Sequence, residues 1–180
     1  FFNFETPWRL FGVLQRIGVV YGACAVLFFT TGTKTRYWII GALLLLYWPL
    51  CLLPTLDGGP SDIWVRGHNF VGSLDRVLLG AGGHNYVKGP DGYDPEGLLG
   101  MLPAIAHGLI GVAIGEFFLK NKGKNIAKPL AIAGAVMLAV GCAWGFVFPV
   151  VKDIWSSTFV LTTCGITTLA LSGLHALLDN

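Results

Sequence analysis

Leu98 to Lys120 reads LLGMLPAIAHGLIGVAIGEFFLK, and this run decides the fold class. Before its terminal Lys120 it carries a single charge, Glu116. A helix rising 1.5 Å per residue needs about 20 residues to cross roughly 30 Å of bilayer hydrocarbon, so the run is long and apolar enough to span a membrane. Phe11–Thr31, Tyr37–Thr55, Leu130–Phe148 and Thr158–Leu178 pass the same test. Together the five predict an all-α, polytopic membrane helix bundle forming a single transmembrane domain.

Composition agrees. The 180 residues are 54 % hydrophobic and only 12 % charged, with a mean hydropathy of +0.66. Soluble domains carry roughly 25 % charged residues, so half of the usual solvating surface is missing. The same numbers exclude disorder, and a net charge of +2 is too small to argue for nucleic acid as a partner. Membrane lipid is the partner that this composition requires. Cys24, Cys51, Cys142 and Cys164 all fall in apolar runs and read as small buried hydrophobes rather than a disulfide framework. The first span lacks a signal peptide's basic leader and cleavage site. Starting at Phe1 without methionine, the chain reads as an internal piece of a longer protein.

Basic residues set an expected orientation. Lys34 and Arg36 lie between the first two spans, and Lys120, Lys122, Lys124 and Lys128 between the third and fourth. On the other side Arg9, Arg66, Arg76, Lys88 and Lys152 are spread out among Asp57, Asp62, Asp75, Asp91, Asp94, Glu96 and Asp153. Cytoplasmic loops retain positive charge, which puts the lysine-rich turn inside and residues 56–97 outside. This outer segment is far longer than ordinary connections of about 12–15 residues or fewer. It is studded with Trp64, Phe70, Val71, Leu74 and Tyr86, so it is expected to fold back onto the helix ends.

Ionisable groups inside a span are costly, roughly 2.5–3.5 kcal/mol each at the centre, and each needs a reason. Gln15 and Arg16 stand near the outer end of the first span. Arg16 either snorkels to the interface or joins Gln15 in facing an internal cavity as a donor to an oxygen-rich ligand. In Tyr93-Asp94-Pro95-Glu96-Gly97, Asp94 suits a helix N-cap, Pro95 the first helical position and Glu96 the positive helix end. These carboxylates are either caps alone or also acceptors for sugar hydroxyls. Pro103 is expected to kink the third span by removing the bond to the Leu99 carbonyl. Gly100, Ala104, Gly108, Gly111 and Gly115 offer a small-residue strip for helix approach. Glu116 is expected to pair with Lys120 at i,i+4, and His107 to be a hydrogen-bonded structural group. Trp155-Ser156-Ser157 reads as an interfacial aromatic anchor followed by an N-cap serine. His68 and His84 have no second ligand at metal spacing, so no metal site is expected.

Gly12-Val13-Leu14-Gln15-Arg16, Leu74-Asp75-Arg76 with Leu79-Gly80, Tyr93-Asp94-Pro95-Glu96-Gly97-Leu98 and Trp155-Ser156-Ser157, in this order, resemble the heparan-α-glucosaminide N-acetyltransferase family and its bacterial relatives. The resemblance runs from about Trp8 to Thr163. It implies a membrane enzyme, in a bacterial inner membrane here, that carries acetyl from cytoplasmic acetyl-CoA to the amino group of a glucosamine-type sugar across the bilayer. It also implies that the family's reacting histidine lies upstream of this sequence. A histidine resembling His84 does occur in relatives after the Leu-Gly.

Within that reading, Gln15 and Arg16 are the candidate catalytic donors. Asp75, Arg76, His84, Asp94, Glu96, Trp155 and Ser156 are candidates for the sugar, and Arg16, Lys120, Lys122 and Lys124 for acetyl-CoA. The lysines serve equally as topogenic charge. The pattern leaves room for a homodimer. The rival class is an amino-sugar transporter or permease, although no internal repeat of the transporter kind is visible.

Overall fold

The computed structural model describes residues 10–80 and 84–178, so Trp8 and Arg9 lie outside the described residues. Among these described residues are six helices: α1 (Val13–Thr30), α2 (Thr33–Cys51), α3 (Phe70–Leu79), α4 (Met101–Lys120), α5 (Ala127–Trp144) and α6 (Ser157–Leu178). The bundle is all-α, and its apolar helices make this an integral membrane protein. Between α3 and α4, Val87 and Tyr93 form an isolated antiparallel bridge.

Four helices, α1, α4, α5 and α6, are long and apolar enough to cross a membrane. The expected second span needs correction. α2 begins at Thr33 and ends at Cys51, four residues earlier at each end than the apolar run Tyr37–Thr55. Its first turn therefore contains Lys34 and Arg36, which dilute its apolarity, while Pro54 biases Leu53 away from helix. Arg36 is 6 % exposed. Its guanidinium donates to Glu116 Oε1 at 2.7 Å on α4 and to the Phe28 carbonyl at 3.3 Å near the end of α1. Glu116 thus pairs with Arg36, not with Lys120, and the ion pair ties α2 to α4.

α5 and α6 form a close hairpin. A Cβ on Gly165 would stand 2.6 Å from Leu138 N, and one on Gly134 would stand 2.9 Å from the Gly165 carbonyl oxygen. Such small residues let helix backbones touch where lipid supplies no competing hydrophobic drive. Ser156 caps α6, its Oγ accepting from Phe159 N at 3.2 Å and Val151 N at 3.0 Å. Cys24, Cys51 and Cys164 are buried free thiols, whereas Cys142 is exposed on this chain's surface, contrary to the expectation for all four.

α4 starts at Met101 rather than Leu98, with Gly100 in the N-cap position. Pro103 consequently falls in the first turn, where a missing N–H breaks no helical bond, and the cause of the expected kink disappears. Asp94 does not cap α4. Its Oδ1 accepts from Glu96 N at 2.9 Å, closing a separate turn over 94–97. Gly108 of the small-residue strip sits against α1, with a Cβ there 2.7 Å from Cys24 Sγ, while Gly111 and Gly115 face open space.

The long connection does fold back. Asn69 Oδ1 accepts from Gly72 N at 2.9 Å and caps α3, and Val71 joins Tyr47, Cys51, Phe148 and Ile154 in one core cluster. A second cluster of Leu44, Ala106, Ile110, Val160 and Cys164 lies deeper among α2, α4 and α6.

Candidate functional site

Polar side chains gather where the long connection meets the start of α1, the start of α4 and the 145–156 turn. A cavity of about 570 Å³ opens there between α1 and α4, with Arg16, Cys24, Glu96, His107, Lys152 and Trp155 in its wall. Arg16 is 5 % exposed, so it faces the cavity rather than snorkelling outward. Gly100 makes room for it: a Cβ there would sit 2.8 Å from Arg16 Nη2. The guanidinium carbon lies 4.6 Å from the centre of the Trp155 ring, within cation–π range. None of its three nitrogens has a hydrogen-bond partner among the described residues. Glu96 stands in the same cavity wall.

Trp155 is the one described non-glycine residue with positive φ, at 54°. A bulky residue in the left-handed region is strained, and the turn that imposes the strain aims its ring. Trp155 N donates to the Lys152 carbonyl at 2.9 Å and Ser156 N to the Val151 carbonyl at 3.0 Å. The ring then lies between Arg16 and His107, whose ring centre is 6.0 Å away. Trp155 is therefore part of the cavity wall. His107 Nδ1 is buried without a partner among the described residues, so the expected hydrogen-bonded structural role gives way to a place in the cavity wall.

Asp75 is 1 % exposed. Its Oδ1 accepts from Leu98 N at 3.1 Å while Oδ2 has no partner among the described residues. Burial first, and then the neighbouring Asp94, pushes its carboxyl up to about 7, against the opposing pull of Leu98 N–H, Arg16 and Arg76. Gly97 packs directly on this carboxylate and has no room for a Cβ. Asp75 thus holds the 94–97 turn that carries Glu96, itself 9 % exposed, into the cavity wall.

The other sequence candidates are distributed differently. Gln15 is exposed and separated from Arg16 by one residue's rotation about α1, so the two do not face the cavity together. Arg76 turns away from Asp75 and clamps the connection: Nη1 donates to the carbonyls of Gly67 at 2.8 Å and Gly92 at 2.9 Å, and Nε to Asp57. His84 is half-buried after α3 and is not among the residues lining the cavity. Ser156 is the buried cap of α6. Lys120, Lys122 and Lys124 are exposed at the far end of α4, roughly 30 Å of helix rise from Arg16. Among the described residues no group of three His, Cys, Asp or Glu side chains is arranged to hold a metal.

Sequence reading sets His107 aside and omits Lys152 and Cys24. A usable signal is present for the histidine. Ala104, His107, Gly108 and Val112 recur at i, i+3, i+4 and i+8 and all line this cavity.

Chemically, an arginine free to donate, an adjacent carboxylate and an imidazole around an apolar chamber suit a ligand with an oxygen-rich or anionic end and a group that loses a proton. No family model matches the chain. It is 28 % identical to the heparan-alpha-glucosaminide N-acetyltransferase of Mus musculus, with 86 % of this chain and 31 % of the relative covered. Identity to the Homo sapiens protein of the same name is 27 %, covering 95 % of this chain and 33 % of the relative. The chain spans about a third of the length of the curated relatives it matches. Over most of its own length, this membrane helix bundle is similar to the heparan-alpha-glucosaminide N-acetyltransferases.

Proposed function

We propose that this chain is the part of a bacterial inner-membrane acetyltransferase that shapes the meeting point of acetyl-CoA and a glucosamine-type acceptor. Acetyl transfer breaks the thioester C–S bond and forms an amide C–N bond; the ammonium first loses a proton, the neutral amine then attacks, and its second N–H proton leaves with the sulfur as CoA thiol. A site for it needs donors to the thioester oxygen as that oxygen gains charge, and a group to take the proton. The observation that carries the reading is Arg16: buried, stacked on Trp155, unpartnered among the described residues, and close to Glu96 in the wall of an open cavity. Its guanidinium serves the developing oxyanion or the acyl arm. Glu96 and His107, in the same wall, are the candidate proton acceptors. Residues 56–97 lie on the outer face, and the Lys120–Lys128 turn faces the cytoplasm, where lysines act as mobile charges for CoA phosphates.

Membranes carrying the full-length protein, given radiolabelled acetyl-CoA and glucosamine, test this directly. Label should pass to the sugar amine, and Arg16→Ala should cut turnover by far more than it cuts folded yield, a loss of about 2–5 kcal/mol for a buried charged hydrogen bond. Transfer no greater than that of control membranes would refute the reading. Normal kinetics in a folded Arg16→Ala protein would remove Arg16 from the reaction.

A further inference from the structure

A groove of about 430 Å³ runs between α2 and α5 over a floor of α4 and α6. Among the described residues no Cα of α2 comes within 8 Å of one in α5, so the two helices leave this space between them. Tyr37, Phe117 and Pro129 form its mouth, and Ile110, Met137 and Leu161 its inner end. Of the side chains lining it, only that of Tyr37 carries an oxygen or nitrogen. It shares no lining residue with the Arg16 cavity.

Length and charge narrow what can lie there. From Phe117 to Ile110 α4 rises about 10 Å, and from Pro129 to Met137 α5 rises about 12 Å. Half of the roughly 30 Å hydrocarbon layer is about 15 Å, so the groove belongs to one leaflet. Its inner end closes on Ile110 of the buried core cluster, where a spanning helix would need the seam to continue. Around the mouth stand lysines from three helices. Lys34 lies three residues before Tyr37, Lys120 three after Phe117, and Lys128 next to Pro129, all of them exposed. Arg36 is already paired with Glu116 at 2.7 Å. In residues 10–56 and 97–152 Glu116 is the one acid, so the mouth keeps an excess of positive charge.

We propose that this groove binds an anionic phospholipid, with an acyl chain along its apolar walls and the phosphate among Lys34, Lys120 and Lys128. A flexible hydrocarbon chain fills an irregular apolar recess without polar groups to satisfy. Lysines, as mobile point charges, suit a phosphate that needs no fixed planar geometry. A zwitterionic lipid brings its own cation, which these lysines repel, so the mouth selects for head-group charge. The site is separate from the acetyltransferase reading and does not rest on it.

The test follows thermal unfolding of the purified full-length protein in detergent while phosphatidylglycerol, or phosphatidylcholine with the same acyl chains, is titrated in. A ligand held only by the native state raises the midpoint as it saturates. Phosphatidylglycerol should act at about a tenfold lower concentration than phosphatidylcholine, and salt near 1 M should remove the difference. Lys34→Gln together with Lys128→Gln should abolish the preference. Lys122→Gln with Lys124→Gln, the same charge loss on the connecting turn, should keep it. Ala133→Phe, which puts a ring into the groove from an exposed position, should weaken both lipids about tenfold or more. Midpoints without lipid report whether each variant is folded, and because the lysines and Ala133 act at different parts of the site, either change decides if the other does not fold. Equal action of the two lipids on the wild type would overturn the proposal. So would a preference that survives both changes, since the lipid would then bind elsewhere, or one that falls equally with either lysine pair, which would reduce it to net charge. No stabilisation by either lipid would mean that another part of the full-length protein fills the groove, and would end the proposal as well.

Discussion

Replacing Asp75 with asparagine should stabilise the protein above neutral pH and change little in acid. The carboxyl is 1 % exposed, and burial raises it from an ordinary 3.8 to about 7 in the fold. Between those values the native state keeps a proton that the unfolded chain has lost, so stability falls as pH rises and levels off above about 7. A tenfold difference in proton affinity between the folded and unfolded carboxyl is worth about 1.36 kcal/mol. The ionised form therefore costs the fold about 4 kcal/mol in all, of which about 2 kcal/mol is lost between pH 5 and 7. Asparagine copies the neutral acid: its carbonyl oxygen can keep accepting from Leu98 N, and it cannot ionise. Thermal unfolding of the full-length protein followed by tryptophan fluorescence at pH 5.0 and 8.5 measures the effect. The wild-type midpoint should drop by several degrees at the higher pH, and that of Asp75→Asn should not. A difference between the two proteins that is the same at both pH values, or an asparagine protein that is the weaker at pH 8.5, would show that Asp75 is ionised in the fold and paired.

Arg36→Met should cost about 1.5–3 kcal/mol, because it strands the partly buried Glu116 carboxylate and frees the α1 carbonyls; the midpoint of unfolding reads this, and a loss below about 1 kcal/mol would mean that water solvates the pair. Gly165→Ala should cost about 1–3 kcal/mol by driving a methyl into the backbone of α5, and an unchanged midpoint would show that the hairpin has slack to absorb it. Exchanging Lys122 and Lys124 for glutamine should raise the KM for acetyl-CoA and reduce its salt dependence with little effect on the acceptor. An unchanged value in a correctly inserted protein would leave these lysines as topology signals only.

Hydropathy makes four of the helices legible, and the long connection's aromatic content makes its folding back legible too. What hides the true ends of α2 is a partner far away in sequence. Lys34 and Arg36 read as turn charges because a local window sees only their cost, whereas Arg36 is accommodated by Glu116, 80 positions on. The same blindness produces the Glu116–Lys120 pairing. An i,i+4 rule offers the nearest cation on the helix surface, but a carboxylate facing the interior takes the cation that tertiary packing brings. Likewise Arg16 announces its cost inside a span, but not the face it occupies. One residue separates it from Gln15, enough rotation to put one side chain on Trp155 and leave the other exposed.

The segment Asp94-Pro95-Glu96-Gly97 shows why capping grammar could not settle the site. Each residue fits a helix start, and each would have been satisfied had α4 begun there. It begins at Met101 instead, because Asp75 of α3 takes Leu98 N and fills the space where any side chain at position 97 would stand. The backbone therefore spends four residues in a turn of its own, closed by Asp94 on Glu96 N, before the helix can start. That detour carries Glu96 into the wall of the Arg16 cavity, whereas a simple N-terminal turn would have left it as a partner for the helix dipole. Asp75 and Asp94 act on the cavity mainly by placing that one carboxylate. A glycine at 97 is the condition for it, a requirement set by contact with the distant Asp75 and not by the turn's own conformation.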